Sequence, residues 1–214
     1  MTKQKKTLIT LPIGTAKYPW LNKPDTAYNK NGVYKVDLVV DPNDPQVQAV
    51  LGQLQDELEA FYQNEKGGKG ELADILIEKD GEFFFRVKQS AFEYKGEVIL
   101  PEPTFYDASG KRILKKPQVF GGSRIAVSAE VWPYSKQEKY REGGKMMTVT
   151  VSGLTLKLKA VQIIELSQGS GGGDNRSAES YGFGAHEGGY SYDEDADGFN
   201  DQEGNEPLEE EGDF

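Results

Sequence analysis

Cysteine is absent from the 214 residues, so no disulfide and no thiolate-held metal can contribute, and a reducing compartment, the cytosol, is the natural expectation. Histidine occurs once, as His186, which sets aside imidazole-based catalysis and multi-histidine metal sites. Long apolar runs are missing as well. Leu8, Ile9, Leu11 and Ile13 follow the basic stretch Lys3 to Lys6, but Thr10 and Pro12 interrupt them. That run is too short for a signal peptide, and nothing longer approaches a membrane span. No cofactor, no metal and no membrane partner is expected.

The last 48 residues, 167–214, have little positive charge and few aliphatic side chains. They hold 14 carboxylates against Arg176 alone, 11 glycines, and Leu208 as the one large aliphatic residue. Their charge is −13, which leaves +3 of the whole-chain −10 for residues 1–166. An acidic chain is therefore a mildly basic body carrying an acidic appendage. The appendage has too little apolar surface to offset the entropy of ordering, so it is expected to be disordered alone. The expected organisation is one globular domain over 1–166 and a tail over 167–214.

What the body does contain is strand pattern. Residues 14–32 are rich in Pro, Gly and Asn and read as an extended or looping lead-in. From Val33 to Val40, Tyr34, Val36, Leu38 and Val40 alternate with Lys35 and Asp37, the signature of a half-buried strand. Asp44 and Pro45 then cap and open a helix of about five turns, its apolar stripe made by Val47, Val50, Leu51, Leu54, Leu58 and Phe61. Beyond Asp80 and Gly81, apolar runs at 82–92, 97–106, 119–132, 146–152 and 154–166 are separated by turn residues. Five or six strands with one helix, and no strand-helix repetition, predict a small barrel or sandwich that is mostly β.

Splitting these strands into faces gives the functional signal. In 82–88, Phe83, Phe85 and Val87 read as core, while Phe84, Arg86 and Lys88 share the other face. Phe84 there either stacks at the surface or packs beneath a loop. After Gly121 and Gly122, Ile125, Val127, Ala129 and Val131 point inward, and Arg124, Ala126, Ser128 and Trp132 outward. Further on, Lys157 and Lys159 oppose packed leucines. Between these strands, Trp132, Tyr134, Lys136, Lys139, Tyr140 and Arg141 form a hairpin arm or loop that interleaves aromatics with cations. Unpaired nucleic acid needs this combination, because cations track phosphates and aromatic faces stack on bases at about 1–3 kcal/mol each. A single lysine on a wet strand face is ordinarily only solvation. The candidate contacts carry weight as a set: Lys35, Phe84, Arg86, Lys88, Arg124, Trp132, Tyr134, Lys136, Lys139, Tyr140, Lys157 and Lys159.

Two weaker motifs carry less. Gly67, Gly68, Lys69 and Gly70 lack the spacing and the following Ser or Thr of a phosphate loop. Asp193, Asp195, Asp197 and Gly198 match the first half of a calcium loop, but its twelfth position is Gly204 instead of Glu.

Taken together, several stretches resemble the single-stranded DNA-binding proteins of T7-like phages across nearly the whole chain. They are Gly14 to Ala16 with Lys23 to Asp25, Gly32 to Leu38, Phe83 to Lys88, Gly121 to Ser123 with Arg124, Pro133 with Tyr134, Val161 to Leu166, and the closing Gly212, Asp213 and Phe214. The resemblance implies an OB-fold, a five-stranded Greek-key barrel, with one amphipathic helix and a disordered acidic tail. It implies a protein that coats single-stranded DNA in phage replication and recombination, promotes annealing, and acts in the cytoplasm of the infected bacterial host. By matched position it suggests Phe84, Arg86, Lys88 and Tyr134 as DNA contacts. It also marks Asp213 and Phe214 as contacts to replication proteins (DNA polymerase, helicase/primase), and it admits a homodimer.

A different class, an acidic DNA mimic whose body is only a scaffold, predicts no oligonucleotide binding at any salt. A metal-dependent nuclease predicts turnover with Mg²⁺, and none is expected.

Overall fold

Period-two alternation builds the sheet. In Val33–Val40, Tyr34, Val36 and Leu38 are buried while Lys35 and Asp37 are half-exposed. In Glu82–Ser90, Phe85 and Val87 are buried between outward Arg86 and Lys88. The computed structural model describes residues 7–66 and 70–167. The expectations placed on the acidic tail (its disorder, Asp213 and Phe214, and the Asp193–Gly198 stretch) lie outside those residues, as do His186, the basic start and residues 67–69.

In chain order the described elements are β1 (Thr7–Thr10), β2 (Gly14–Asp25), β3 (Val33–Val40), α1 (Pro45–Lys66), β4 (Glu71–Leu72), β5 (Ile77–Lys79) and β6 (Glu82–Ser90). There follow β7 (Phe92–Tyr94), β8 (Glu97–Ile99), β9 (Thr104–Tyr106), β10 (Arg112–Ile113), β11 (Arg124–Glu142) and β12 (Lys145–Glu165). β3 pairs antiparallel with β2 and, from Val33 opposite Ser90 to Val40 opposite Phe83, with β6. β11 and β12 pair from Arg124 opposite Glu165 to Glu142 opposite Lys145.

Two seams close a ring in the order β2, β3, β6, β12, β11. Leu156 of β12 lies parallel beside Val87 of β6, and Arg124 and Ile125 of β11 oppose Thr15 and Gly14 of β2. Glycine is needed at the second seam, since a Cβ at Gly14 would stand 2.5 Å from the Val39 carbonyl oxygen and 2.8 Å from Leu38 Cγ. The ring is a five-stranded Greek-key barrel of the OB type, which decides between barrel and sandwich. A register shift between Ser128 and Ala129 leaves Lys159 unmatched, so the buried set on β12 passes from Leu156 and Leu158 to Val161 and Ile163. A bulge of this kind lets one long strand bend around a barrel.

Leu21, Val36, Leu38, Phe85, Val87, Ile125, Val127 and Leu158 fill the interior, joined by Phe105 from β9. α1 adds Val47 and Leu54 to the same core. Its start is as the sequence predicts: the Asp44 carboxylate accepts from Gln46 N–H at 2.7 Å, and Pro45 is the first helical residue.

The sequence reading needs correction in several places. The lead-in over 14–32 is mostly a strand, β2, despite its prolines; it is extended, not looping. The runs at 146–152 and 154–166 are one strand of 21 residues, and the run at 119–132 starts at Arg124 and continues to Glu142. The 97–106 run contributes only β8 and β9, and β7 with β8 forms a separate two-stranded ribbon. Phe83 is half-buried at a strand end, not core, and Ala126 is buried where an outward residue was expected. Among the described residues no helix is long and apolar enough to cross a membrane.

Two carboxylates tie the loops to the barrel. Asp25, buried at the end of β2, accepts from Lys35 Nζ at 2.5 Å and Ala27 N–H at 2.9 Å, and these bonds hold its carboxyl below the usual range. Asp107 accepts from the Ser109 hydroxyl and from the Lys111 and Ser109 N–H groups, which lower its carboxyl likewise. A depressed folded value contributes stability that is fully present above the unfolded value near 4 and lost as pH falls through the folded one. Thermal melts from pH 7 down to 2 are therefore expected to lose midpoint mainly below pH 4, and the double variant D25N/D107N to show a lower midpoint at pH 7 with a flatter acid limb.

Candidate nucleic-acid interface

Because β3 is paired on both sides, its outward residues stand in rungs with those of β2 and β6. Trp20, Lys35 and Lys88 form one rung, and Lys17, Asp37 and Arg86 the next. Thr15, Val39 and Phe84 form a third, with Ile77 of β5 beyond Phe84. Alternation alone accounts for the cations facing outward. A groove of about 380 Å³ runs over these rungs, lined by Lys17, Tyr18, Lys35, Asp37, Lys79, Asp80, Phe84, Arg86 and Lys88. A second groove of about 350 Å³ shares Arg86 and Lys88 with it and is otherwise lined in part by Tyr134, Lys136, Leu154 and Thr155. The two make one path from β2 across the sheet to the base of the β11–β12 arm.

Aromatic faces on this path carry cations. Lys17 Nζ lies 5.5 Å from the centre of the Tyr18 ring, Arg86 Cζ 5.3 Å from Phe84, and Lys136 Nζ 5.6 Å from Tyr134, within the range of cation–π attraction. Carboxylates hold the same cations. Arg86 Nε and Nη2 each donate to Asp37 at 2.9 Å, Lys35 to Asp25, Lys17 to Glu82, and Lys136 to Glu138 at 2.6 Å. The hydrogen bond to Asp37 raises Arg86 further above its ordinary value, and those to Glu82 and Glu138 do the same for Lys17 and Lys136.

Of the residues expected from the sequence, Lys35, Phe84, Arg86, Lys88, Tyr134 and Lys136 lie on the path. Phe84 is not the surface stacking face of its first reading: only 4 % exposed, it lies beneath the Arg86 side chain, where the second reading placed a loop. The others lie elsewhere. Lys157 Nζ sits 3.3 Å from the Trp132 ring centre, and Lys159 pairs with Glu130 at 2.8 Å. Arg124 is exposed at the start of β11, opposite Glu165. Lys139 and Tyr140 are exposed on the arm, whose tip is a tight turn at Gly143 and Gly144, both in the left-handed region. Alternation puts Tyr140 on the ribbon face of Tyr134 and Lys136, and Lys139 on the other.

Lys17, Tyr18, Trp20 and Lys79 are absent from the sequence reading. Tyr18 has φ of +50° and is 67 % exposed, at a break in register between Lys17 and Trp20 where Pro19 cannot donate. A proline inside an apolar-aromatic run is the signal that could have found it, since proline within a sheet sits at bulges or edges.

No protein-family model matches the chain. It is 29% identical over 234 residues to the single-stranded DNA-binding protein of Enterobacteria phage T3, covering 97% of this chain and 95% of that one. Over 201 residues it is 27% identical to the single-stranded DNA-binding protein of Escherichia phage T7, covering 81% and 82%. The solved structure of gp2.5, the single-stranded DNA-binding protein encoded by bacteriophage T7, matches with a TM-score of 0.59 at 25% identity, over 88% of this chain and 100% of that one. The chain resembles the single-stranded DNA-binding proteins of T7-like phages. The single-stranded DNA-binding protein of bacteriophage Enc34 shares the fold, with a TM-score of 0.50 at 15% identity over 81% of this chain and 89% of that one.

In this barrel, Tyr134 is seated on glycine. A Cβ at Gly153 would meet Tyr134 Oη at 2.6 Å and Cζ at 2.7 Å, so the bare backbone of β12 is what admits the ring. Gly153→Ala is expected to displace Tyr134, seen as shifted ring resonances in NMR spectra, and to cost about 1–3 kcal/mol in denaturant unfolding. Adding Tyr134→Ala should restore part of that loss; if it restores none, the ring is not what the methyl group meets.

Proposed function

We propose that the chain binds single-stranded DNA, without reading its sequence, along the path across β2, β3 and β6 onto the β11–β12 arm. The observation that carries this reading is the line of exposed Tyr18 and Trp20 on β2 beside the cation rungs of β3 and β6. These are the second and third strands of the OB barrel, the face on which that fold holds oligonucleotides together with the connection between its fourth and fifth strands. Tyr18, Trp20 and Tyr134 supply π faces for unpaired bases, and Lys35, Lys79 and Lys88 follow the phosphates. The T3 and T7 relatives carry the same function in their names. The chain is a binding protein and not an enzyme.

The finer reading is a phage protein of DNA replication and recombination, acting in the cytoplasm of the infected bacterial host. It coats and anneals strands, admits a homodimer, and recruits replication proteins, DNA polymerase and helicase/primase, through Asp213 and Phe214. The 14 carboxylates of residues 167–214, tethered to the body, compete with DNA for its cations at high effective concentration.

Titration of a labelled oligonucleotide at several salt concentrations tests this. Tyr18→Ala and Tyr134→Ala are each expected to weaken binding about 5- to 100-fold on every sequence. Deleting residues 189–214 is expected to tighten binding most at low salt and to weaken capture of the polymerase. Unchanged low-salt affinity after the deletion rules out competition by the tail. A full chain that binds no oligonucleotide at any salt is a DNA mimic instead.

A further inference from the structure

Arg86 is the central side chain of the path, shared by both grooves. It is also the most constrained cation there. Its Nε and Nη2 are both taken by the two oxygens of Asp37, each at 2.9 Å. Its guanidinium lies over the buried Phe84 ring, with Cζ 5.3 Å from the centroid, and its side chain nevertheless remains 52% exposed. A guanidinium held side-on by one carboxylate has a fixed plane, and its charge is matched within the protein. Asp37 takes two of the five N–H donors; also open to a ligand is the flat outer surface of that plane, on which an unpaired base can stack.

We propose that Arg86, locked by Asp37 and seated on Phe84, is a base-stacking surface of the path and not one of its phosphate contacts. Asp37 is then a positioning residue: it aligns the plane and withholds the charge from the phosphates. Phe84 is the floor beneath the plane. In this arrangement the aromatic face that strand alternation places at the groove is covered by guanidinium, and the guanidinium takes over its stacking role. The neighbouring Lys88, whose compact ammonium offers no flat surface, is left to the backbone of the nucleic acid.

The inference rests on the DNA-binding reading above and deepens it. Its test uses the full chain, oligo(dT), and an abasic oligonucleotide of equal length, titrated over a range of salt. A phosphate contact contributes about 0.7 to the slope of log affinity against log salt on a single strand, whereas a stacking contact contributes none. Arg86→Lys keeps the charge and loses the plane. It is expected to weaken oligo(dT) binding about 5- to 100-fold at every salt with the slope unchanged, and to leave binding to the abasic strand unaltered. Asp37→Asn releases the charge, so the slope is expected to steepen by about 0.7. The role of Arg86 is overturned if Arg86→Lys stays within about twofold of the parent chain on oligo(dT) while Arg86→Ala lowers the slope by about 0.7. An unchanged slope in Asp37→Asn overturns the charge-withholding role of Asp37. If the parent chain itself binds neither strand, the DNA-binding reading fails first, and that outcome is distinct from these.

Discussion

β3 is hydrogen-bonded on both sides, to β2 and to β6, and that double pairing sets which side chains stand beside one another on the groove. A slip of one residue in β6 would turn Arg86 and Lys88 into the core and Phe85 and Val87 out to water. Fully buried Leu38, Phe85 and Val87 penalise that slip heavily. The packing that stabilises the barrel interior is thus the same constraint that aligns the rungs outside it. The seams depend on it in turn, since Val87 is also where β12 joins β6.

The electrostatics of the groove differ from what a count of lysines and arginines suggests. Lys17, Lys35, Arg86 and Lys136 each have a carboxylate partner in the folded protein. The pairs exposed on both sides, Lys17 with Glu82 and Lys136 with Glu138, add little to stability, but all four hold side chains in place and reduce the field that a polyanion meets. A groove so balanced favours contacts that work at short range, through ring and guanidinium faces, over a broad positive surface.

Gly14 and Gly153 show how little backbone space the design leaves. One permits β2 to approach β3 at the barrel seam, and the other permits Tyr134 to lie against β12. Neither is at a turn, and neither has the positive φ for which glycine is usually chosen. Their role is close approach, a property that belongs to the neighbours and not to the residue.

Alternation of apolar and polar residues by itself determined the inward faces of β3, β6 and β11 apart from Phe83, Phe84 and Ala126, the helix with its Asp44 cap, and the cations on the outer face. The separation of an acidic end from a basic body was equally plain, because charge is additive along a chain. Period two assigns a residue to a side of its strand, which is why Lys35, Arg86 and Lys88 were legible. It says nothing about what lies on top, and so could not choose between the exposed and the covered Phe84. The strand nature of β2 was hidden because Pro19 and Pro24 read as breakers, although a bulge tolerates them. Joining Lys17 and Tyr18 to Arg86, and Arg86 to Tyr134, required the tertiary structure. Those residues are far apart in sequence, and only strand register, two bulges and the closure of the barrel bring them to one path.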